Sequence, residues 1–394
     1  MRFSVAAGAT AVLLAAALTG SVSAAATGAR AVKSGYTALS SVSCTSPSFC
    51  MAVGEDTGAH GTLRALAERW DGKSWHIVPT PNQGGPRSGN QLWWVSCPSA
   101  TSCMAVGDAQ SASVPMSEEW NGTAWSLLRT PLPKEGRDAT LQSVSCPTSS
   151  SCVAVGSSGD HSSSPPATLI EQWNGLRWAL AASPNPSVSY NALWGVDCPS
   201  PARCTAVGDS AGKTPGSETT LVEQENGNRW TVVRSPGVPH RWTTLTAIDC
   251  VSAPACTAVG ATYHSTANNF TARPLIERES KRTWHVSPAP YPAHTSYDQL
   301  GSLACTTATR CMATGSSTSP SAVTTLAEAE KAGTWSIVPS PNAPGSLSAF
   351  GGISCVSPAL CLAVGDNDNG TGLRLPLSEL WNGTVWKIIS TPNP

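Results

Sequence analysis

The chain has 394 residues, of which 12% are charged, with 24 Lys and Arg against 25 Asp and Glu. This near-neutral balance argues against a nucleic-acid or anionic-membrane partner held by bulk electrostatics. The chain contains 14 Cys and 15 Trp but only 4 Phe, and both abundant types recur at regular places.

Residues 1–24 predict a secretory signal peptide. Arg2 precedes an apolar Ala/Leu/Val run, and Val-Ser-Ala forms a small-x-small cleavage site ending at Ala24. A membrane anchor is the alternative, but the run is Ala-rich and has no basic stop-transfer flank. No other segment is apolar enough to span a bilayer. The sequence therefore predicts a secreted, extracellular protein in a compartment where disulfides persist, with residues 25–36 as a short linker.

From residue 37 onward, one pattern recurs seven times with a period of 49 to 55 residues. Its first half reads L-x-x-V-S-C-x5-C-x-A-V-G, and its second half reads L-x-E-x-W-N-G-x-x-W before a Pro-rich tail. Each unit carries two cysteines six positions apart, and these pairs are Cys44 and Cys50, Cys97 and Cys103, Cys146 and Cys152, Cys198 and Cys204, Cys250 and Cys256, Cys305 and Cys311, and Cys355 and Cys361.

The first half of each unit predicts two short strands, A and B, joined by a Ser/Pro/Thr loop. Cysteines that face each other across an antiparallel pair lie near the Cα separation that a disulfide requires. Metal binding is the alternative, but a regular C-x5-C with no accompanying His in an exported chain disfavours it. We therefore expect one A–B disulfide per unit.

The second half predicts a hairpin of strands C and D. An Asn-Gly pair between apolar stretches favours a tight turn in which both residues adopt positive φ. In the second unit, the structural positions of this hairpin are Glu118, Trp120, Gly122 and Trp125.

Seven such units predict an all-β fold, a seven-bladed β-propeller with four antiparallel strands per blade. The expected blades are about 37–90, 91–138, 139–190, 191–242, 243–297, 298–347 and 348–394, with the Trp residues packed between them. A linear β-solenoid is the competing architecture. It would need distinct capping units, and the first and last repeats are ordinary.

The C–D hairpin resembles the Asp-box of BNR-repeat propellers, S-x-D-x-G-x-x-W. Gly122 and Trp125 occupy the Gly and Trp places, whereas Glu118 and Trp120 stand in the Ser and Asp places. The fifth and sixth units depart further, because Lys281 and Ala332 replace the Gly. The whole repeat is similar to secreted propeller proteins of high-GC Gram-positive (actinobacterial) bacteria, and this resemblance implies fold and export but no activity.

A glutamate occurs at the same place in every unit: Glu68, Glu118, Glu171, Glu223, Glu277, Glu328 and Glu379. A ring of cation-binding carboxylates is one hypothesis. We favour a structural role in which each Glu accepts hydrogen bonds from a Trp N–H or a backbone group. Asp366 and Asp368 form a weak calcium candidate that lacks the full spacing of such a loop; otherwise no metal and no cofactor is expected.

The B–C connections vary most, since the offset from the strand-B Gly to the strand-C Glu ranges from 11 to 17 positions. Variable loops on a rigid scaffold tend to carry function. The connections around units 4 to 6 hold aromatic and polar side chains suited to sugar stacking or a protein partner, with ordinary loop packing as the alternative. These candidate ligand-binding residues are His240, Arg241, Trp242, Tyr263, His264, Phe270, Tyr291, His294 and Tyr297.

We therefore predict a secreted, monomeric binding module that recognises an extracellular glycan or a surface protein, with no nucleic-acid partner. A sialidase-like, glycan-cleaving hydrolase is the alternative, although the Arg residues are scattered and Tyr is scarce. A purely structural envelope protein is the third hypothesis. No G-x-S-x-G, H-E-x-x-H or phosphate-loop motif occurs, so no catalytic residue is assigned.

Overall fold

The structure is a computed structural model that describes residues 35–57, 61–85, 88–110, 114–133, 138–159, 165–211, 218–227, 229–266, 269–368, 370 and 373–394. The expected signal peptide and most of the linker lie outside the described residues. Within these ranges every regular element is a β-strand, and no helix could cross a membrane. The prediction of an all-β chain is therefore confirmed.

Each repeat unit forms strands A to D in chain order. Units 1 to 3 comprise β1 (Thr37–Ser46), β2 (Phe49–Thr57), β3 (Leu63–Trp70), β4 (Trp75–Val78), β5 (Asn90–Ser99), β6 (Ser102–Ala109), β7 (Val114–Trp120), β8 (Trp125–Leu128), β9 (Ala139–Thr148), β10 (Ser151–Ser158), β11 (Ala167–Trp173) and β12 (Trp178–Leu180). Units 4 to 7 comprise β13 (Tyr190–Ser200), β14 (Arg203–Ala211), β15 (Thr219–Glu225), β16 (Trp230–Val233), β17 (Trp242–Ser252), β18 (Ala255–Thr266), β19 (Asn269–Ser280), β20 (Thr283–Ser287), β21 (Tyr297–Thr307), β22 (Arg310–Thr318), β23 (Val323–Lys331), β24 (Thr334–Ile337), β25 (Ser348–Ser357), β26 (Leu360–Asp368), β27 (Arg374–Trp381) and β28 (Trp386–Ile389).

The 28 strands form five four-stranded sheets and one eight-stranded sheet. Within each unit the strands pair antiparallel in the order A-B-C-D. Units 5 and 6 share the larger sheet because β19 also pairs in parallel with β21, at Ala272 and Tyr297. The sequence did not indicate this join, since it depends on how far strand C of unit 5 extends.

The last unit contacts the first, which gives the arrangement the closed character of a propeller. The hydroxyl of Ser354 accepts a hydrogen bond from the backbone N–H of Cys44 (3.0 Å). The same contact links unit 1 to unit 2, where Ser43 accepts from the N–H of Cys97 (3.0 Å). Trp75 also donates across the closure to Ser378 (3.1 Å). An open solenoid would leave its terminal units apart.

All seven predicted disulfides are present, and the described residues contain no free cysteine. Each bridges the A and B strands of one unit. Cys44 and Cys50, for example, are direct cross-strand partners with Cα atoms 4.0 Å apart. In the chain-entropy description, closing a loop of this length stabilises the fold by about 2 kcal/mol.

Tryptophan packs between units, as predicted, because Trp120 and Trp125 of unit 2 lie in one core cluster with Met51 and Val53 of unit 1. The two Trp rings of one hairpin lie in contact in units 1, 2, 3 and 7, as in Trp70 and Trp75 with centroids 5.6 Å apart. In units 4 to 6 the first Trp is replaced by Glu225, Glu279 and Glu330, all buried. Glu225 and Glu279 accept hydrogen bonds from Gln172 and Gln224 of the preceding units, and Glu330 forms an ion pair with Arg278. In units 4 to 6, polar contacts with the preceding unit thus replace the contact of two Trp rings within the hairpin.

The C–D turns differ from the prediction. In unit 2 only Gly122 has positive φ (96°), and the Asn121 side chain closes the turn by accepting from the N–H groups of Thr123 and Ala124. An Asn side chain that caps its own turn does not need a left-handed backbone. Two adjacent left-handed residues occur instead in units 5 and 6, at Lys281 and Arg282 and at Ala332 and Gly333, where the turns have no Asn.

Candidate functional site

The two faces of the ring differ in regularity. We call the face with the A–B and C–D turns the turn face, and the face with the B–C and D–A connections the variable-loop face. On the variable-loop face of units 5 and 6, four predicted ligand-binding residues come together, and we call Trp242, Tyr263, Phe270 and Tyr297 the aromatic patch. Tyr263 lies at its centre, with ring centroids 4.7 Å from Trp242, 5.8 Å from Phe270 and 6.0 Å from Tyr297.

Strand pairing, rather than loop packing, positions the aromatic patch. The B–C connection of unit 5 was expected to be a loop, but β18 and β19 extend to 12 residues each. Tyr263 is therefore the cross-strand partner of both Trp242 and Ala272, and Ala272 pairs with Tyr297. β-Branched and aromatic residues in this segment favour continued pairing over a loop.

The aromatic patch is partly open to solvent. Phe270 is 46% exposed, whereas Trp242, Tyr263 and Tyr297 are half-buried. Burial, with the neighbouring Tyr297, raises the pKa of Tyr263 well above its usual range. Its hydroxyl is therefore protonated at all physiological pH values. The indole N–H of Trp242 is buried without a hydrogen-bond partner among the described residues.

Arg273 lies close to the aromatic patch, because it follows Ala272, the cross-strand partner of Tyr263. The Arg273 guanidinium lies 4.5 Å from the ring centre of Tyr291, which is 51% exposed. Arg273 also donates to Asp298 (2.9 Å) and to the carbonyl of Thr295 (3.0 Å). Sequence reasoning selected Tyr291 but missed Arg273, whose role depends on partners more than twenty residues away.

The four remaining candidates are exposed. His240, Arg241, His264 and His294 lie on the connections or the hairpin of the same face. His240 and His294 both have left-handed backbones, with φ of 60° and 65°. No hydrogen bond or ring contact joins these four side chains to the aromatic patch among the described residues, so the structure leaves them at most at its border.

The centre of the ring is occupied by Trp94. Its side chain packs against the core of unit 3 and also against the core between units 5 and 6, on the opposite side of the ring. Its neighbour Trp93 donates to Asp108 (2.6 Å), and the equivalent Trp194 donates to Asp209. The pattern of alternating burial in strand A cannot indicate a contact across the ring.

A group of acids lies on the variable-loop face of units 7, 1 and 2, and we call Glu55, Asp108 and Asp366 the acidic cluster. All three are buried. Burial raises the pKa of Glu55 to about 7, and the nearby charges of the other two add to this effect. Burial also raises the pKa of Asp366 to about 6, although the Arg374 guanidinium, 2.5 Å away, opposes the shift.

Tyr36 completes the surroundings of the acidic cluster. It interacts with Glu55, and the Arg374 guanidinium lies 5.2 Å from the centre of its ring. Burial and the adjacent carboxylates raise the pKa of Tyr36 above its usual range.

The acids of the weak calcium candidate have other partners. Asp366 pairs with Arg374, and Asp368 accepts from the N–H of Gly370 (2.8 Å) and from Ser346 (3.1 Å). The described residues contain no group of three His, Cys, Asp or Glu side chains that could hold a metal ion.

The seven repeated glutamates are all fully buried on strand C. None of the seven accepts a hydrogen bond from a Trp N–H among the described residues, whereas the expected backbone donor occurs at Glu277, which accepts from the N–H of Gly237 (3.1 Å). Serine hydroxyls from the tail of the preceding unit donate to Glu223 (2.8 Å), Glu277 (2.6 Å) and Glu379 (2.8 Å). The others, Glu68, Glu118, Glu171 and Glu328, have no hydrogen-bond partner among the described residues, and burial raises the pKa of each to about 8.

Two positions in the preceding unit, one on strand C and one in the tail, explain which glutamates have a serine hydroxyl as donor. In unit 3, the Thr168 hydroxyl bonds the tail residue Ser183 (2.6 Å), which in turn donates to Glu223 of unit 4. In unit 2 the equivalent strand residue is Pro115, and the tail Thr130 donates back to its carbonyl (2.8 Å). A Thr on strand C thus accompanies a tail Ser that reaches the next unit.

Comparison with known proteins supports the fold alone. No protein-family model matches the chain, and no curated protein matches it. Among solved structures, an ulvan lyase (polysaccharide lyase PL25) bound to -[GlcA(1-4)Rha3S]- is 8% identical with a TM-score of 0.55, covering 92% of this chain and 96% of that one. The β-propeller domain of the Trilobed protease from Pyrococcus furiosus is 7% identical with a TM-score of 0.53, covering 92% and 97%. The chain is a β-propeller-like protein.

Proposed function

We propose that this protein is an exported seven-bladed β-propeller that binds an extracellular glycan through the aromatic patch and the neighbouring Tyr291. The observation that carries the proposal is the gathering of exposed and half-buried aromatic rings beside an arginine on one face. Aromatic faces with adjacent polar groups suit the apolar faces and hydroxyls of sugar rings. The seven disulfides agree with an oxidising, extracellular location.

The test is a glycan and cell-wall polysaccharide binding array on the mature protein and its variants. Phe270→Ala and Tyr291→Ala remove exposed rings and are expected to weaken binding about tenfold or more. Leu176→Ala is the matched control, because Leu176 is 87% exposed on the turn face. Equal binding by all variants would refute the site, and binding of a surface protein instead of any glycan would point to the other ligand class.

A second candidate function is glycan cleavage at the acidic cluster. A carboxylic acid whose pKa is close to the working pH can act as a general acid, and burial raises the pKa of Glu55 to about 7. Glu55→Gln should then abolish the release of reducing ends from any glycan that binds, while binding persists. Cleavage that is unchanged in this variant would exclude Glu55 as the acid.

A further inference from the structure

The turn face of units 4 to 6 carries a concentration of positive charge that the near-neutral composition of the chain hides. Six exposed cations lie in or beside its turns, and we call them the basic face: Arg203, Arg229, Lys281, Arg282, Arg310 and Lys331. None of the six has an ion-pair partner among the described residues. No carboxylate is exposed in the described residues of these turns; Glu225, Glu279 and Glu330 beneath them are buried.

Two clefts open on this face. One, of about 290 Å³, lies between units 5 and 6 and is lined by Arg278, Glu279 and Lys281. The other, of about 240 Å³, lies between units 6 and 7 and is lined by Arg310, Glu330 and Lys331. In unit 1 the corresponding space is covered by Trp70, whose indole donates to the carbonyl of Pro47 in the A–B turn (3.2 Å). Replacement of this Trp by Glu in units 5 and 6 accompanies the clefts.

The backbone of unit 5 shows that its cations occupy unfavourable positions. Lys281 and Arg282 both adopt left-handed conformations, with φ of 50° and 63°. Residues with long side chains adopt this conformation at an energetic cost, and Gly or Asn would avoid it. The two cations therefore lie at the tip of a strained turn.

We propose that the basic face binds a linear polyanion, a polymer bearing sulfate or phosphate groups, which runs across units 4 to 6. Each of the three successive units presents two exposed cations, as contact with a polymer that bears repeated charges requires. Single-stranded nucleic acid is disfavoured, because the exposed aromatic rings among the described residues, Phe270 and Tyr291, lie on the opposite face and offer no stacking surface here.

The test measures binding of the mature protein to dextran sulfate and to inorganic polyphosphate, with uncharged dextran as the probe control. Two double variants remove charge from the basic face: Lys281→Gln with Arg282→Gln, and Arg310→Gln with Lys331→Gln. Each should weaken binding roughly tenfold. Each pair should also reduce the dependence of log affinity on log salt by about one to two. Thermal unfolding of each variant verifies that it is folded.

The matched control is Lys73→Gln with Arg177→Gln, which removes the same charge from the turn face of units 1 and 3. Equal weakening by the control pair, or no binding by the wild type at low salt, would overturn the proposal. Binding only to anionic phosphatidylglycerol vesicles would overturn it in favour of a membrane. Phe270→Ala should leave polyanion binding unchanged, so failure here and failure of the proposed glycan site are separate results.

Discussion

Replacing one repeated glutamate by glutamine should raise the free energy of unfolding relative to wild type, and this gain should increase as the pH rises. Glu118 is fully buried, has no hydrogen-bond partner among the described residues, and its pKa is raised by burial to about 8 from 4.5. An acid with a raised folded-state pKa is uncharged in the fold but ionised in the unfolded chain at neutral pH. Its favourable contribution is therefore present below pH 4.5 and is lost as the pH rises toward 8.

The size of the effect follows from the two pKa values. One pKa unit corresponds to about 1.4 kcal/mol, so at pH 7 keeping Glu118 neutral costs about 3 kcal/mol of unfolding free energy, and at pH 5 about 1 kcal/mol. Glu118→Gln removes this titration and keeps the shape. The buried amide brings its own hydrogen-bonding cost, but that cost does not change with pH. The measured quantity is thus the slope of the difference between variant and wild type.

The assay is urea unfolding followed by tryptophan fluorescence, with disulfides intact, from pH 5 to pH 7. The free energy of unfolding of Glu118→Gln relative to wild type should rise by about 2 kcal/mol over this range. Glu119→Gln is the control, because Glu119 is the next residue on the same strand and is only half-buried. A difference that does not change with pH would refute the argument.

A second prediction comes from the units in which a serine hydroxyl donates to the repeated glutamate. Glu223, which accepts from Ser183, has a pKa of about 7 rather than 8. The double substitution Pro115→Thr with Thr130→Ser should supply the missing donor to Glu171 of unit 3. The loss of unfolding free energy between pH 5 and pH 8 should then be smaller by about 1 kcal/mol than in wild type. An unchanged pH profile would show that the Thr and Ser pairing does not control the acid.

Two further predictions concern the core of each unit. Gly107→Ala should lower the free energy of unfolding by about 3 kcal/mol, because a Cβ atom there would lie 1.9 Å from the carbonyl oxygen of Gln91. Gly301→Ala is the control and should change it little, because the atom nearest to a Cβ there is 4.0 Å away. Chemical denaturation compares the two variants. Replacement of the disulfide pair Cys97 and Cys103 by Ala should cost about 2 kcal/mol, measured in the same way, and an unaltered midpoint would contradict the stabilising role of the bridge.

Local patterns in the sequence predict a large part of this fold. Spacing of the paired cysteines indicates which residues face each other, since the A–B loop has a constant length and leaves one register. Alternating apolar residues predict the strands, and repetition predicts that the units stack. Gly107 and its equivalents have a local cause as well: the C-x-A-V-G glycine faces the carbonyl of the preceding strand.

The contacts between units were decided by tertiary structure. Ser183, in the tail of unit 3, donates to Glu223, 40 residues away, and Trp94 on strand A contacts cores on two sides of the ring. The alternating burial of strand A does not indicate the contacts of Trp94. The C–D turn shows the same limit at short range, because Asn121-Gly122 is compatible with two turn geometries.

The candidate sites depended on both levels. Sequence alone indicated which connections vary and which aromatics they contain. Only the extended pairing of β18 with β19 brought Tyr263 between Trp242 and Tyr297, and only the ring placed the six cations of the basic face side by side on one surface. Pairing within a unit is set by residues close in the chain, whereas a surface spanning several units depends on the rotation from one unit to the next, which no local pattern encodes.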